Sequence, residues 1–230
     1  MDENRILPGN RVLRYNFKER AIHWFAAFSY VYLMLTGLAF WSPWLFWIAV
    51  VLGGGSNSRM LHPWVGLIYT ASVIYMFSIW KQDMWITKLD REWTKMIGAY
   101  VRNEGEEQLP EHAVRAFQPY APVDRFNLGQ KYLFWVMFWG GIVLFLTGMV
   151  LWFSEYIPWS LRFLRYLSVL LHPIAFLVTI GGFIVHVYMG LAVVRGGFHA
   201  VVRGDVSDSW ARHHHRLWLE RIMGHDTANK

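Results

Sequence analysis

The residues of this chain best equipped for chemistry are histidines in apolar surroundings. The stretch from Leu171 to Gly190, LHPIAFLVTIGGFIVHVYMG, carries His172 and His186 without a charged residue. Ligand-type side chains are costly to place in hydrocarbon, so they mark function there by default. Fourteen residues at about 100° each fall roughly 40° short of four full turns, so both rings leave much the same helix face. Their axial separation is about 21 Å, a large part of a roughly 30 Å hydrocarbon layer. One helix can thus offer a ligand near each membrane surface. The plainer reading of either residue alone is a core histidine hydrogen-bonded to a neighbouring helix.

The elements that must position these residues are legible in composition. Of 230 residues 55% are hydrophobic and 18% aromatic, with mean hydropathy +0.24. This composition predicts an all-α integral membrane protein. Cysteine is absent. That excludes disulfides, iron–sulphur clusters and thiolate-held metals as intrinsic features and leaves histidine as the strong nitrogen ligand. The net charge of +6 comes from basic residues flanking apolar runs rather than from an aromatic-interleaved patch, which argues for membrane orientation and against nucleic acid.

Taken in order, residues 1–20 form a polar arm with Arg5, Arg11, Arg14, Lys18 and Arg20 and no apolar signal segment, so the first span is expected to direct insertion. The spans are expected at about 21–41, 61–80, 132–153 and 166–194. Together they make a four-transmembrane-helix bundle over residues 21–194. Trp44 to Leu52 is too short to cross and reads as an interfacial excursion, closed by a flexible GGGSNS turn at residues 53–58. His62 opens the second span in RMLHPW, with Pro63 where a helix start tolerates it and Gly66 one turn on, where a flat ligand has room. Residues 81–131 form a hydrophilic connection bearing Asp83, Asp90, Arg102, Glu104, Glu106 and Glu107; residues 195–230 are a basic tail. No internal repeat is apparent.

Four spans place both termini and the long loop on one side. That side is the more basic, since the opposite loops offer only Arg59, Arg162 and Arg165, so both termini are expected in the cytoplasm. Depth then follows from position along each span. His23 and His186 fall in the cytoplasmic half, His62 and His172 in the outer half, giving two pairs, each drawn from two helices. Zinc ordinarily needs three or four protein ligands, and no carboxylate lies at either depth to complete a set. Haem needs only two axial nitrogens. Two bis-histidine b-type haems stacked across the bilayer are the sharper expectation. A haem-free transporter or scaffold with buried histidines is the competing one, and visible absorption separates them.

Six segments in fixed order carry a family resemblance: ERAIHW around His23, RMLHPW around His62, RFNLGQK before the third span, LLHPIA around His172, IVHVYMG around His186, and GDVSDSWARHHHRLW in the tail. From about Arg14 to Ile222 the chain resembles the gamma, or cytochrome b, subunit family of respiratory formate dehydrogenases, with a longer N-terminal arm and a shorter tail. The resemblance implies a multi-pass dihaem anchor in the bacterial inner (cytoplasmic) membrane. Its partners would be an iron–sulphur (beta) subunit and a molybdenum or tungsten catalytic (alpha) subunit, which would itself oxidise formate. It implies axial ligation of the outer haem by His62 and His172 and of the inner haem by His23 and His186. It also implies a quinone site, for menaquinone or ubiquinone, at Asn127, Gly129 and Gln130 beside His186, where side-chain amides can donate to a quinone carbonyl. Asn127 reads equally well as a helix N-cap. Related dihaem cytochromes anchor hydrogenases and other molybdoenzymes, so another donor complex stays open.

Of the remaining histidines, the run His213, His214 and His215 is expected on a basic surface or subunit contact, because consecutive helical residues point apart. His112, His199 and His225 are expected on the surface. The tail cations Arg195, Arg203, Arg212 and Arg216 suit anionic membrane lipid and subunit docking.

Overall fold

In a computed structural model, residues 6–95, 98 and 123–228 are described, residues 225–228 by backbone only. The expectations for Arg5, Arg102, Glu104, Glu106, Glu107, His112 and the His225 side chain lie outside what is described. Four long helices dominate: α1 (Phe17–Trp41), α3 (Gly55–Trp80), α5 (Leu128–Trp152) and α6 (Phe163–Tyr188). A π-helical turn, Met189–Val193, prolongs α6 into a 31-residue apolar span. At 1.5 Å per residue, 25 residues reach about 37 Å, enough to cross. The most apolar window of each helix is only 11–28% buried within the chain, so apolar side chains face outward along the spans. A helix satisfies its own backbone, which is why this form suits such a run in lipid.

The start of α3 differs from the sequence expectation. Gly55–Ser58 is helical rather than a turn, and Asn57 Nδ2 donates to the Gly53 carbonyl at 2.8 Å to close the entry. Gly53 and Gly54, with φ of 100° and 99°, make the reversal before it. Pro63 therefore lies inside α3, and Pro173 inside α6. Each removes one backbone donor from its helix. Each follows directly on a histidine.

The chain divides into two compact units. Residues 21–79 and 135–184 form the first, made of the long helices. Between α1 and α3 it holds a 3₁₀ turn, Pro43–Leu45, and short α2 (Trp47–Val51), whose Ile48 and Ala49 are buried with Ala39 of α1. A second cluster joins Ala26, Tyr30 and Tyr69, flanked by Met137 and Phe183.

The other unit comprises the described parts of residues 1–20, 80–134 and 185–230. The arm is not simply a polar extension: β1 (Ile6–Leu7) and β2 (Arg11–Leu13) form a hairpin, and β2 pairs antiparallel with β3 (Asp205–Ser207) of the tail, Val12 facing Val206. Arg14 N and Tyr15 N both donate to the Gly204 carbonyl. Gly204 has φ 96°, and a Cβ there would lie 2.6 Å from the Tyr15 carbonyl, so glycine is required. Helices α7 (Gly197–Arg203), α8 (Asp208–His214) and α9 (Arg216–Ala228) complete the tail, with Ala200, Ala211, Trp218 and Leu219 in its core. Helix α4 (Lys88–Thr94) begins at a capping box between Thr87 and Asp90.

Candidate functional site

His62 of α3 and His172 of α6 come together. Their ring centres lie 6.4 Å apart, with planes at 58°. Each ring is gripped at one nitrogen by a threonine of another span. His62 Nδ1 lies 2.6 Å from Thr36 Oγ1 of α1, and His172 Nδ1 lies 2.9 Å from Thr147 Oγ1 of α5. Both hydroxyls also reach the carbonyl four residues back in their own helix, Thr36 to Tyr32 at 2.9 Å and Thr147 to Val143 at 2.6 Å. A hydroxyl has one proton, and a carbonyl can only accept it. The threonine oxygens therefore accept from the rings: Nδ1–H of each histidine donates, and each Nε2 carries its lone pair.

That donor set fits haem. His62 and His172 would hold the group through their Nε2 atoms, and their 6.4 Å ring separation keeps the two imidazoles from direct contact. Among the described residues no group of three or more His, Asp or Glu side chains comes together, as a protein-built zinc site would need. Around the pair, the Phe40 ring lies 5.6 Å edge-on to His62, and Trp64 meets Trp152 at 5.1 Å. Gly148 keeps His172 uncrowded, since a Cβ there would stand 3.3 Å from His172 Cε1. The space beside Gly66 is open.

The threonines were not singled out from sequence, although a signal for them exists and corrects the reading that no repeat is present. Leu35-Thr36-Gly37 with Trp41 recurs as Leu146-Thr147-Gly148 with Trp152, and Leu61-His62-Pro63 recurs as Leu171-His172-Pro173.

The chain aligns with the family model described as prokaryotic cytochrome b561 over residues 14–203. It belongs to the prokaryotic cytochrome b561 family. A cytochrome b carries haem b, so this family member is a bacterial membrane haem protein with four helices able to span. It is 31% identical over 212 residues to the cytochrome b556(fdo) subunit of formate dehydrogenase from Escherichia coli K12, covering 92% of this chain and 93% of that one. To the nitrate-inducible cytochrome b556(Fdn) subunit of the same organism it is 30% identical over 214 residues, covering 92% and 91%. The formate dehydrogenase cytochrome b556 subunit of Haemophilus influenzae Rd is 30% identical over 225 residues, covering 95% and 86%.

The other histidines of this cytochrome fall as follows. His23 stands in the second turn of α1 within the long-helix unit, 5.7 Å from the Trp24 ring. His186 lies in the last turn of α6 and belongs to the other unit. In that same unit, FNLGQK packs close to the chain following His186: Leu128 clusters with Trp93 and Val123, and Met189 and Val194 pack against them. Asn127 and Gln130 form a reciprocal cap on α5. Gln130 N donates to Asn127 Oδ1 at 2.9 Å, and Asn127 N donates to Gln130 Oε1 at 3.0 Å. Both side-chain oxygens thereby accept the cap bonds, and the other polar group of each amide is its NH2. Asn127 is buried, Gln130 half-buried and Gly129 exposed.

His214 and His215 depart from the surface expectation, being 5% and 2% exposed. His215 Nε2 accepts from Arg14 Nη2 at 3.0 Å while its Nδ1–H donates to the Asp124 carbonyl at 2.8 Å. Burial, reinforced by the Arg14 charge, pushes His215 well below the usual histidine range. Arg14 Nη2 also donates to the Arg125 carbonyl, and Leu217 N to the Val123 carbonyl, so three successive carbonyls before Asn127 are pinned by arm and tail. Arg125 itself pairs with Glu19 and with Asp83. Burial alone would lower its pKa, but those two carboxylates raise it. Asp90, 2.7 Å from Lys131 Nζ, is held below the usual carboxylate range: the Lys131 and Thr87 hydrogen bonds outweigh burial.

Proposed function

We propose that this chain is the dihaem membrane anchor of a respiratory formate dehydrogenase, set in the bacterial inner membrane with both termini in the cytoplasm. Its partners in this reading are an iron–sulphur subunit and a molybdenum or tungsten catalytic subunit, where formate is oxidised. The names of its relatives and their near full-length match support that complex over a hydrogenase or another molybdoenzyme.

The observation that carries the haem reading is the His62–His172 pair, 6.4 Å apart with each Nδ1 engaged by a threonine. In this reading His62 and His172 hold the outer haem, and His23 and His186 the inner one. Bound haem b supplies one-electron transfer between the iron–sulphur partner and membrane quinone. The protein's own part is to hold four neutral imidazoles at set depths in the span and to seat the quinone headgroup. Asn127, Gly129 and Gln130 form that seat, packed near the turn after His186. The cap that orders the Asn127 and Gln130 amides also sets the direction in which their NH2 groups can donate.

A pyridine haemochrome assay of the purified chain tests this reading. Two haems per chain are expected, with His172→Ala and His186→Ala each losing one, and not the same one by redox titration. One haem or none in the native protein overturns it.

A further inference from the structure

We infer that Thr36 and Thr147 are matched positioning residues which fix the ring tautomer and electron donation of His62 and His172, one from each half of a duplicated helical hairpin. This inference rests on the proposed axial role of His62 and His172. Each half contributes a Leu-Thr-Gly segment with a tryptophan four residues beyond the glycine, then a Leu-His-Pro segment in the next span. The threonine stands 26 residues before its histidine in the first half and 25 in the second. The resulting threonine contacts are alike, and the His172 ring also meets the Leu144 carbonyl. Thr36 is fully buried and Thr147 is 7% exposed.

The chemistry follows from proton count. With its hydroxyl proton committed to a helix carbonyl, each threonine has only acceptor capacity for the ring. It therefore draws on Nδ1–H, which makes Nε2 a more basic donor, and a more basic imidazole stabilises ferric over ferrous iron. Two such contacts act on one metal position in the same direction. They hold its reduction potential lower than two imidazoles without acceptors would, and they stop either ring from swivelling.

Thr36→Val and Thr147→Val in the intact complex remove the acceptor and nearly preserve shape; Thr36→Ser and Thr147→Ser restore the hydroxyl. Optical redox titration with haem quantitation is the measurement. The expected result is a full haem complement, a positive shift in the potential of one and the same haem in both valine variants, and return toward the native value in the serine variants. Should a valine variant lose that haem, its recovery in the serine variant supports the inference equally. An unchanged potential in both valine variants overturns it, as does a serine variant that behaves like valine. His62→Ala and His172→Ala separate this from the reading beneath it. If they lose one haem while the threonine variants shift nothing, only the threonine role fails; if they keep both haems, the axial assignment falls and the inference with it.

Discussion

At the scale of single residues, the long-helix unit is tuned by where side chains are missing as much as by where they are present. A Cβ on Gly140 would come 2.4 Å from Thr179 Cγ2, and Thr179 has no exposed surface. A β-branched side chain in a helix has little rotamer freedom to yield. Gly140→Ala should therefore cost about 1–3 kcal/mol through overpacking. The check is a lowered thermal midpoint followed through haem absorption. Thr179→Ser removes the offending methyl and keeps the hydroxyl that donates to the Phe176 carbonyl at 3.0 Å, so the double variant should recover most of the loss. A double variant no more stable than Gly140→Ala would place the cost elsewhere. The histidines obey the same logic of contact: their residue type was readable from sequence, but the threonines that orient two of them lie on other helices.

At the scale of elements, the entry to α5 joins stability to the proposed quinone seat. Asn127→Ala removes the cap oxygen and should cost about 1 kcal/mol. That loss alone cannot tell a cap from a quinone contact. Asn127→Asp can, because a carboxylate caps a helix N-terminus as well as an amide does but offers no NH2 group. Native thermal stability with reduced quinone turnover is the expected outcome in the intact complex. Native turnover would assign Asn127 to capping alone. The prolines teach a related point about elements. A proline is equally compatible with a helix start and, at some cost, with a helix interior, and the polar GSNS segment gave no reason to extend α3 backward past it. The helix extends because Asn57 closes the turn at Gly53, a contact that follows from the folded reversal at Gly53 and Gly54.

At the scale of the whole molecule, arm, connection and tail meet in one unit around a neutral buried histidine. The unfolded chain protonates His215 near pH 6.5, whereas the folded chain resists doing so. Below about pH 6.5 the unfolded state binds more protons, so this contribution falls as pH drops and is fully present above that value, with a slope of at most about 1.4 kcal/mol per pH unit. Limited proteolysis of the tail should thus quicken between pH 7.5 and pH 5.5 relative to an unstructured control substrate, and His215→Gln should flatten the difference; a native profile without pH dependence would refute it. From sequence alone, the four apolar spans, the all-helical membrane class and the cytochrome family were legible, because span length, hydropathy and motif order are properties of neighbouring residues. The set of histidines inside those spans was legible for the same reason. Only the tertiary structure decided that Thr36 and Thr147 hold His62 and His172, that Asn127 caps α5, and that His215 is buried against Arg14 and the Asp124 carbonyl. Those partnerships join residues 25, 26, 91 and 201 positions apart, apart from the local cap. Periodicity along one helix says which face a residue occupies; which polar group on another element receives its hydrogen bond is settled only when the elements pack.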